Sequence, residues 1–406
     1  MVTERGVGVL VGAVGAYVVA RSFGIAELQI GALAALALVA AAFVFTWLTS
    51  TSLEVDRLVR PARLHFDAEA TVTVTVRNVG RLPTATLELR DEVPPGLGET
   101  GRTVLPPLRP GDRTTLSYEL RGGQRGRFLV GPLQVKLRDP FRLVARSRRL
   151  PGRVDVVVYP PLWWLPPGLP LGGAAASTGE GRPRPRPAGD DLATVREYVQ
   201  GDDLRAVHWA STAHRGKLMV RQAEAPEEPR AVVLLDVRAD RHRGHGPTAS
   251  FEAAVAAATS ATHHLATRGR GVVLVEAPFD TPPRARAADA WLEQLAVVEP
   301  RPVDHLATLR QLGQGLAGDG ALVAVTTVPD AGELQQLVRA GRAFSTRVAL
   351  LVDAESHGGR GRRAADAAAT ARRLAAAGWR VTVLRAGDRL DDRWRELIAQ
   401  RRTAGV

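Results

Sequence analysis

Two apolar runs open the chain, and the hydrophobic spacing changes twice after them. Leu28 to Leu48 holds no charge and as a helix would be about 31 Å long, near the hydrocarbon thickness of a bilayer. Val7 to Ile25 is richer in glycine and carries Arg21 near its end. Alone it would read as a cleaved leader, but a longer uncharged run follows at once, so the pair predicts two transmembrane helices over residues 1–50. Arg5 precedes the first run, and Arg57, Arg60 and Arg63 follow the second, while the connection offers only Arg21 against Glu27. The positive-inside bias then places the chain in the inner (plasma) membrane with its soluble domains in the cytoplasm. Gly8 and Gly12 form a GxxxG pair that could pack the two helices together or pair protomers.

Over residues 51–160 the period becomes two. ATVTVTVRN sets Val72, Val74 and Val76 on one face with threonines on the other, and TLELRDEVP, TLSYELRG, GRFLVGPLQVKL and VDVVVYP repeat the alternation between Gly- and Pro-containing turns. Short alternating strands at this spacing predict an all-β, immunoglobulin-like sandwich that serves as a spacer or binding module. Residues 161–229 lose the period: a Pro-, Gly- and Arg-rich linker, expected to be extended, leads into a compact polar motif. Trp163 and Trp164 are expected to pin the start of the linker against a domain.

From 230 to 406 fully apolar strands (AVVLLD, GVVLVEA, ALVAVTTV, RVALLVDA, RVTVLRAG) alternate with helical patterns. That order predicts an α/β domain with a mainly parallel sheet covered on both faces. Ligands of such sheets bind at the carboxyl ends of the strands, here Asp236, Thr327, Asp330 and Asp353.

Composition narrows the chemistry. The chain has no cysteine, which excludes disulfides and thiolate metal sites. Its net charge of +12 rests almost wholly on arginine, with Lys136 and Lys217 the two lysines, and these cations are scattered rather than striped with aromatics, so no nucleic-acid partner is expected. GQGLAG at 313–318 follows a helix and leads into a strand, the reverse of a dinucleotide loop, and reads as a turn. Neither a phosphate-binding GxxxxGK[ST] nor a GxSxG elbow occurs. His242 and His245 lack a second pair at ligand spacing and read as loop histidines, so no metal and no cofactor is expected.

The densest polar stretch is VREYVQGDDLRAVHW at 195–209. Asp202 is placed to cap a helix over Leu204–His214 ending at Gly216, which would set Arg205, His208 and Trp209 on one face. Glu197 and Asp203 are carboxylate partners for Arg196 and Arg205. The motif reads either as a polar network fixing the linker or as a recognition or acid–base surface.

At 234–240, LLDVRAD resembles the DxSxS loop through which von Willebrand A-like domains hold Mg²⁺. The two hydroxyl positions are Arg238 and Asp240, and an arginine cannot donate a lone pair. The Arg238 guanidinium is therefore expected to take the metal's place, pairing with Asp236, Asp240 or Asp330.

Residues 195–218 resemble the signature of DUF58, a family of domains of unknown function, and DPFRL at 139–143 and VYP at 158–160 match further elements of it. The resemblance marks Arg196, Tyr198, Gly201, Asp202, Arg205, His208, Trp209 and Lys217 as signature positions. It implies a membrane-anchored protein with a von Willebrand A-like domain, working beside a MoxR-type AAA+ ATPase and a transglutaminase-like membrane protein. The expected role is thus a non-enzymatic adaptor; the alternative is a hydrolase using Asp202, Asp203 and His208 as acid–base residues.

Overall fold

The computed structural model describes residues 2–48, 53–169, 195–197, 207, 209–221, 230–281, 283–316, 320–358 and 364–400. The chain divides into two compact units, Met1–Pro161 with Leu292–Val298, and Leu162–Trp291 with Glu299–Val406.

The first unit begins with helices α1 (Glu4–Phe23) and α2 (Ala26–Leu48). Gly24, at φ +72°, supplies the left-handed residue that ends α1. Both helices are long and apolar enough to cross a membrane, and Val11, Val18, Ile30, Phe43 and Trp47 stand exposed on them. Gly8 and Gly12 meet nothing within 4 Å of where a β-carbon would stand, so this GxxxG pair makes no close crossing between α1 and α2. Gly6 makes a close approach instead, though to the 142–144 loop and not to α2: a β-carbon there would clash with the carbonyl oxygen of Leu143.

The β-rich region follows: β1 (Leu53–Arg60), β2 (Arg63–Leu64), β3 (Glu69–Asn78), β4 (Thr86–Asp91), β5 (Arg102–Leu105), β6 (Arg113–Arg121), β7 (Gly126–Val130), β8 (Leu133–Arg138), β9 (Ala145–Leu150) and β10 (Val154–Val158). They form sheets β1-β3-β6, β2-β10-β7 and β5-β4-β8-β9, antiparallel except for β2 with β10. Val72, Val74 and Val76 of β3 are fully buried, while Thr71, Thr73 and Thr75 between them are not, as a period of two requires. Each such valine contributes about 1.5–3 kcal/mol of burial. These valines join Leu87, Leu89, Val135 and Val156 in one core.

Arg57 has the inward parity of β1 and is buried, so it is no surface charge flanking the second helix, contrary to the sequence reading; Arg60 and Arg63 are exposed. Its Nε and Nη2 reach Asp91 Oδ2 and Oδ1 at 3.1 and 2.5 Å, and Tyr118 donates its hydroxyl to Asp91 Oδ2 at 2.6 Å. A fully buried carboxylate is tolerable only when charge and hydrogen bonds are both supplied in this way.

In the second unit, β11 (Val195–Glu197) pairs antiparallel with β12 (Met219–Arg221), and α3 (Trp209–Arg215) precedes β12. The main sheet is built from β13 (Arg230–Leu235), β14 (Gly271–Val275), β15 (Ala321–Thr327), β16 (Thr346–Val352) and β17 (Arg380–Leu384). All five strands are parallel, in the order β14-β13-β15-β16-β17. The helices are α4 (Ser250–Ala266), the start of α5 (Ala288–Val297, which belongs to the first unit from Leu292 on), α6 (His305–Gly315), α7 (Ala331–Gly341), α8 (Ala364–Ala376) and α9 (Leu390–Ala399). Leu309 and Leu312 of α6, Leu334 and Leu337 of α7 and Leu374 of α8 pack on Val232, Leu234, Leu322 and Ala324 of the sheet. Helix α4, whose Ala254, Ala257, Ala258 and Ala261 are buried, lies across β13 to β16.

Residues 162–169 lie on this unit. The Trp163 N–H donates to Ser260 Oγ at 2.9 Å, the Trp394 indole donates to Pro166 O at 3.2 Å, and Leu165 and Leu169 are buried. Trp163 lies under the Arg389 guanidinium, whereas Trp164 is exposed and meets His263 edge-on. The remainder of the expected linker, 170–194, lies outside the described residues.

Candidate functional site

The strand order reverses between β13 and β15, which leave the sheet in opposite directions of winding. A crevice at the carboxyl ends of such a pair is where open α/β sheets take ligands. Asp236 ends β13 there, fully buried, opposite Thr326 and Thr327 at the end of β15. Its Oδ2 accepts from Thr326 Oγ1 (3.2 Å), Thr327 N (3.2 Å) and Thr327 Oγ1 (2.7 Å).

Arg238 closes the crevice. Its Nε donates to Asp236 Oδ1 and its Nη2 to Oδ2, each at 2.8 Å, and its Nη1 donates to Glu333 Oε1. Only 6% of the Arg238 side chain is exposed, so the fork is spent internally. Burial alone would raise the Asp236 pKa, but the Arg238 hydrogen bonds and charge, with Thr327, hold it well below the usual carboxylate range. Arg238 is correspondingly held above its ordinary value by Asp236 and Glu333, against the opposing effect of burial.

Glu333 is also the third residue of α7. Its Oε2 accepts from Asp330 N and its own N–H donates to Asp330 Oδ1, both at 2.9 Å, a reciprocal capping box. Arg241 Nη2 bridges Asp330 and Glu333 at 3.2 and 3.3 Å. The rim is thus Asp240, Arg241 and Asp330, with side chains 77%, 31% and 53% exposed. Beneath it, His242 is buried. Its Nε2 lies 2.9 Å from Asp236 O, an acceptor only, so Nε2 carries the proton, and Nδ1 accepts from Ser250 Oγ at 3.1 Å. Burial pushes the pKa of His242 down, and that of neighbouring His305 likewise.

The structure therefore gathers Asp236, Arg238, Thr327 and Asp330, four of the positions singled out along the sequence. Asp240 does not join Arg238; it lies 3.6 Å from Arg241 Nε, because it has already turned outward into the loop. Asp330 pairs with Arg241, not Arg238. Asp353 ends the next strand, β16, and stands 3.7 Å from Arg385 in a separate pair. Glu333 and His242 were missed as site residues. The D-x-x-E spacing of a capping box at 330–333 could have flagged Glu333; His242 is not the loop histidine that its Arg- and Gly-rich surroundings suggested, because the chain folds it under the strand end.

Of the polar motif, Arg196 and Glu197 lie in β11 with backbones opposite Val220 and Met219. Trp209 starts α3 and is 72% exposed, and Lys217 is exposed beyond Gly216, whose φ of +66° ends the helix. Buried Val207 sits in a β-bridge, so α3 does not begin at Leu204; a β-branched residue packed inward favours extended backbone. Tyr198, Gly201, Asp202, Asp203, Arg205 and His208 lie outside the described residues. Among the described residues, no group of three His, Asp or Glu is arranged to hold a metal ion.

Residues 194–355 match the family described as "Protein of unknown function DUF58". The chain is also similar to the uncharacterized protein YeaD of Bacillus subtilis, 23% identical over 230 residues, which are 55% of each chain, so it spans about half the length of that relative. Among solved structures, a CARDB domain from Pyrococcus furiosus overlaps 26% of this chain and 92% of its own at a TM-score of 0.20 and 20% identity. A FixG-related protein from Vibrio parahaemolyticus overlaps 26% and 94% at a TM-score of 0.18 and 14% identity.

Proposed function

We propose that the protein is a membrane-anchored cytoplasmic adaptor whose α/β domain is von Willebrand A-like and docks a MoxR-type AAA+ ATPase. The observation that carries this reading is the Arg238 fork at the switch point. In a von Willebrand A-like site that position belongs to Mg²⁺, held by oxygen donors. Here the Asp236 oxygens are engaged by Arg238 and the two threonines, and a second cation would meet the guanidinium. The residues present do not fit the metal. The crevice is instead a sealed, charge-balanced support under a polar rim of Asp240, Arg241 and Asp330, which suits recognition of a protein surface. The ATPase as partner, and a transglutaminase-like membrane protein beside it, come from the resemblance of the 195–218 motif. The two apolar helices and the exposed Arg5, Arg60 and Arg63 that flank them support anchoring with the soluble part in the cytoplasm.

Crosslinking the full-length protein in its native membrane, followed by mass spectrometry, tests the reading. An AAA+ ATPase is expected to be recovered, with a yield that falls for Asp330→Arg. Turnover of a small substrate by the purified protein, abolished by Asp202→Asn or His208→Gln, would replace the adaptor with the hydrolase.

A further inference from the structure

We infer that a cavity at the sandwich-facing end of the helix hairpin binds the phosphate of an anionic phospholipid head group, an inference that rests on the membrane anchoring proposed above. The cavity measures about 710 Å³ and gathers five cations, Arg5, Lys136, Arg138, Arg142 and Arg146, against the single carboxylate of Glu4. Arg138 is paired with Glu88 at 2.6 Å. Arg5, Arg142 and Arg146 have no carboxylate partner among the described residues.

The wall is built rather than incidental. Thr3 caps α1, accepting from Gly6 N at 3.1 Å, while its own N–H donates to Leu143 O at 2.9 Å and its hydroxyl to Arg142 O at 2.6 Å. The buried Asp139 carboxylate accepts from the N–H groups of Leu143 and Val144, at 2.7 Å for the nearer contact with Leu143 and 3.2 Å for Val144. Leu143 and Val144 pack with Val39 and Ala42 of α2. This fastening holds Arg142 at φ +59°, a left-handed conformation that a β-carbon disfavours and that glycine would adopt freely. An arginine stands there all the same, with its side chain lining the cavity.

Position gives the ligand. The cavity opens where α1 begins, at the same end of the hairpin as exposed Trp47 near the end of α2. The end of an apolar span flanked by an aromatic and cations is the level of head-group phosphates. Arginine forks match phosphate oxygens, and the positive end of α1 adds to them.

The test uses the full-length protein, floated with phosphatidylcholine vesicles with and without phosphatidylglycerol, and native mass spectrometry to read the lipid retained in detergent. Retention of phosphatidylglycerol over phosphatidylcholine is expected, with a drop of roughly thirtyfold in Arg142→Gly/Arg146→Gln. Arg142→Gly alone is expected to keep or raise the melting temperature, which separates binding from folding. Equal retention by the variants overturns the site. Full displacement by millimolar inorganic phosphate assigns it to a soluble phosphate compound and overturns the head group. Failure of the unmodified protein to float with phosphatidylcholine vesicles overturns the anchoring itself, a different result from loss of lipid selectivity in a protein that floats.

Discussion

Arg238 reaches back across one intervening residue to grip Asp236, its Nε and Nη2 each 2.8 Å from the carboxylate. The grip is completed from 95 residues away by Glu333, so a local turn and the first turn of α7 share one guanidinium. Arg238→Ala leaves buried Asp236 without its cation and Glu333 with Arg241 alone, and the expected cost is about 3–5 kcal/mol in the unfolding of the α/β unit. Denaturant titration of the purified full-length protein checks it.

The same relationship makes a metal-specific forecast. Arg238→Ser removes the guanidinium and supplies an oxygen donor beside Asp236, Thr326 and Thr327. Millimolar Mg²⁺ is expected to raise the melting temperature of that variant by several degrees and to leave the unmodified protein unchanged. A Mg²⁺-dependent shift in the unmodified protein would refute the idea that Arg238 stands in for the cation.

Acid should loosen the α/β unit before it disturbs Asp236. Burial pushes His264 down to about 4, and lowers His242 and His305 as well. Each folded-state pKa lies below the unfolded value near 6.5, so the unfolded chain binds more protons once the pH drops below about 6.5. Stability is therefore expected to be flat above that point and to fall from there toward pH 4. The contribution of Asp236, whose folded pKa is depressed, remains until the pH falls through the ordinary carboxylate range. Melting temperatures measured from pH 8 to 4 decide this, and His264→Phe, which meets Trp394 without a proton to accept, should flatten the curve.

In the first unit, Tyr118→Phe removes one donor from buried Asp91 and should cost about 1–2 kcal/mol, while Arg57→Ala, which strips its cation, should cost about 3–5. Comparing the two by thermal unfolding separates the hydrogen bond from the ion pair.

Glycine scanning of α1 should be asymmetric. Gly6→Ala would drive a methyl group into the Leu143 carbonyl and separate the helix from the 142–144 loop, whereas Gly8→Ala and Gly12→Ala meet open space. Limited proteolysis after Arg142 should rise for the first and stay level for the other two.

Local signals in the chain anticipated much of this. Period-two valines and continuous apolar strands located the sheets, and Asp236 at a strand end located the crevice, because those patterns report burial within a few residues. What escaped is non-local. Nothing near Arg57 announces Asp91, 34 residues on, so an arginine following an apolar run reads as a membrane flank. Likewise DPFRL shows its role only once Asp139 is seen turning the chain so that Leu143 meets Thr3, 140 residues earlier.

A cation tethered by its own side chain has no dissociation rate. The face above Arg238 is therefore expected to keep its organisation at every concentration of divalent ions, with displacement of α7, which carries Glu333, as the route left to disturb it.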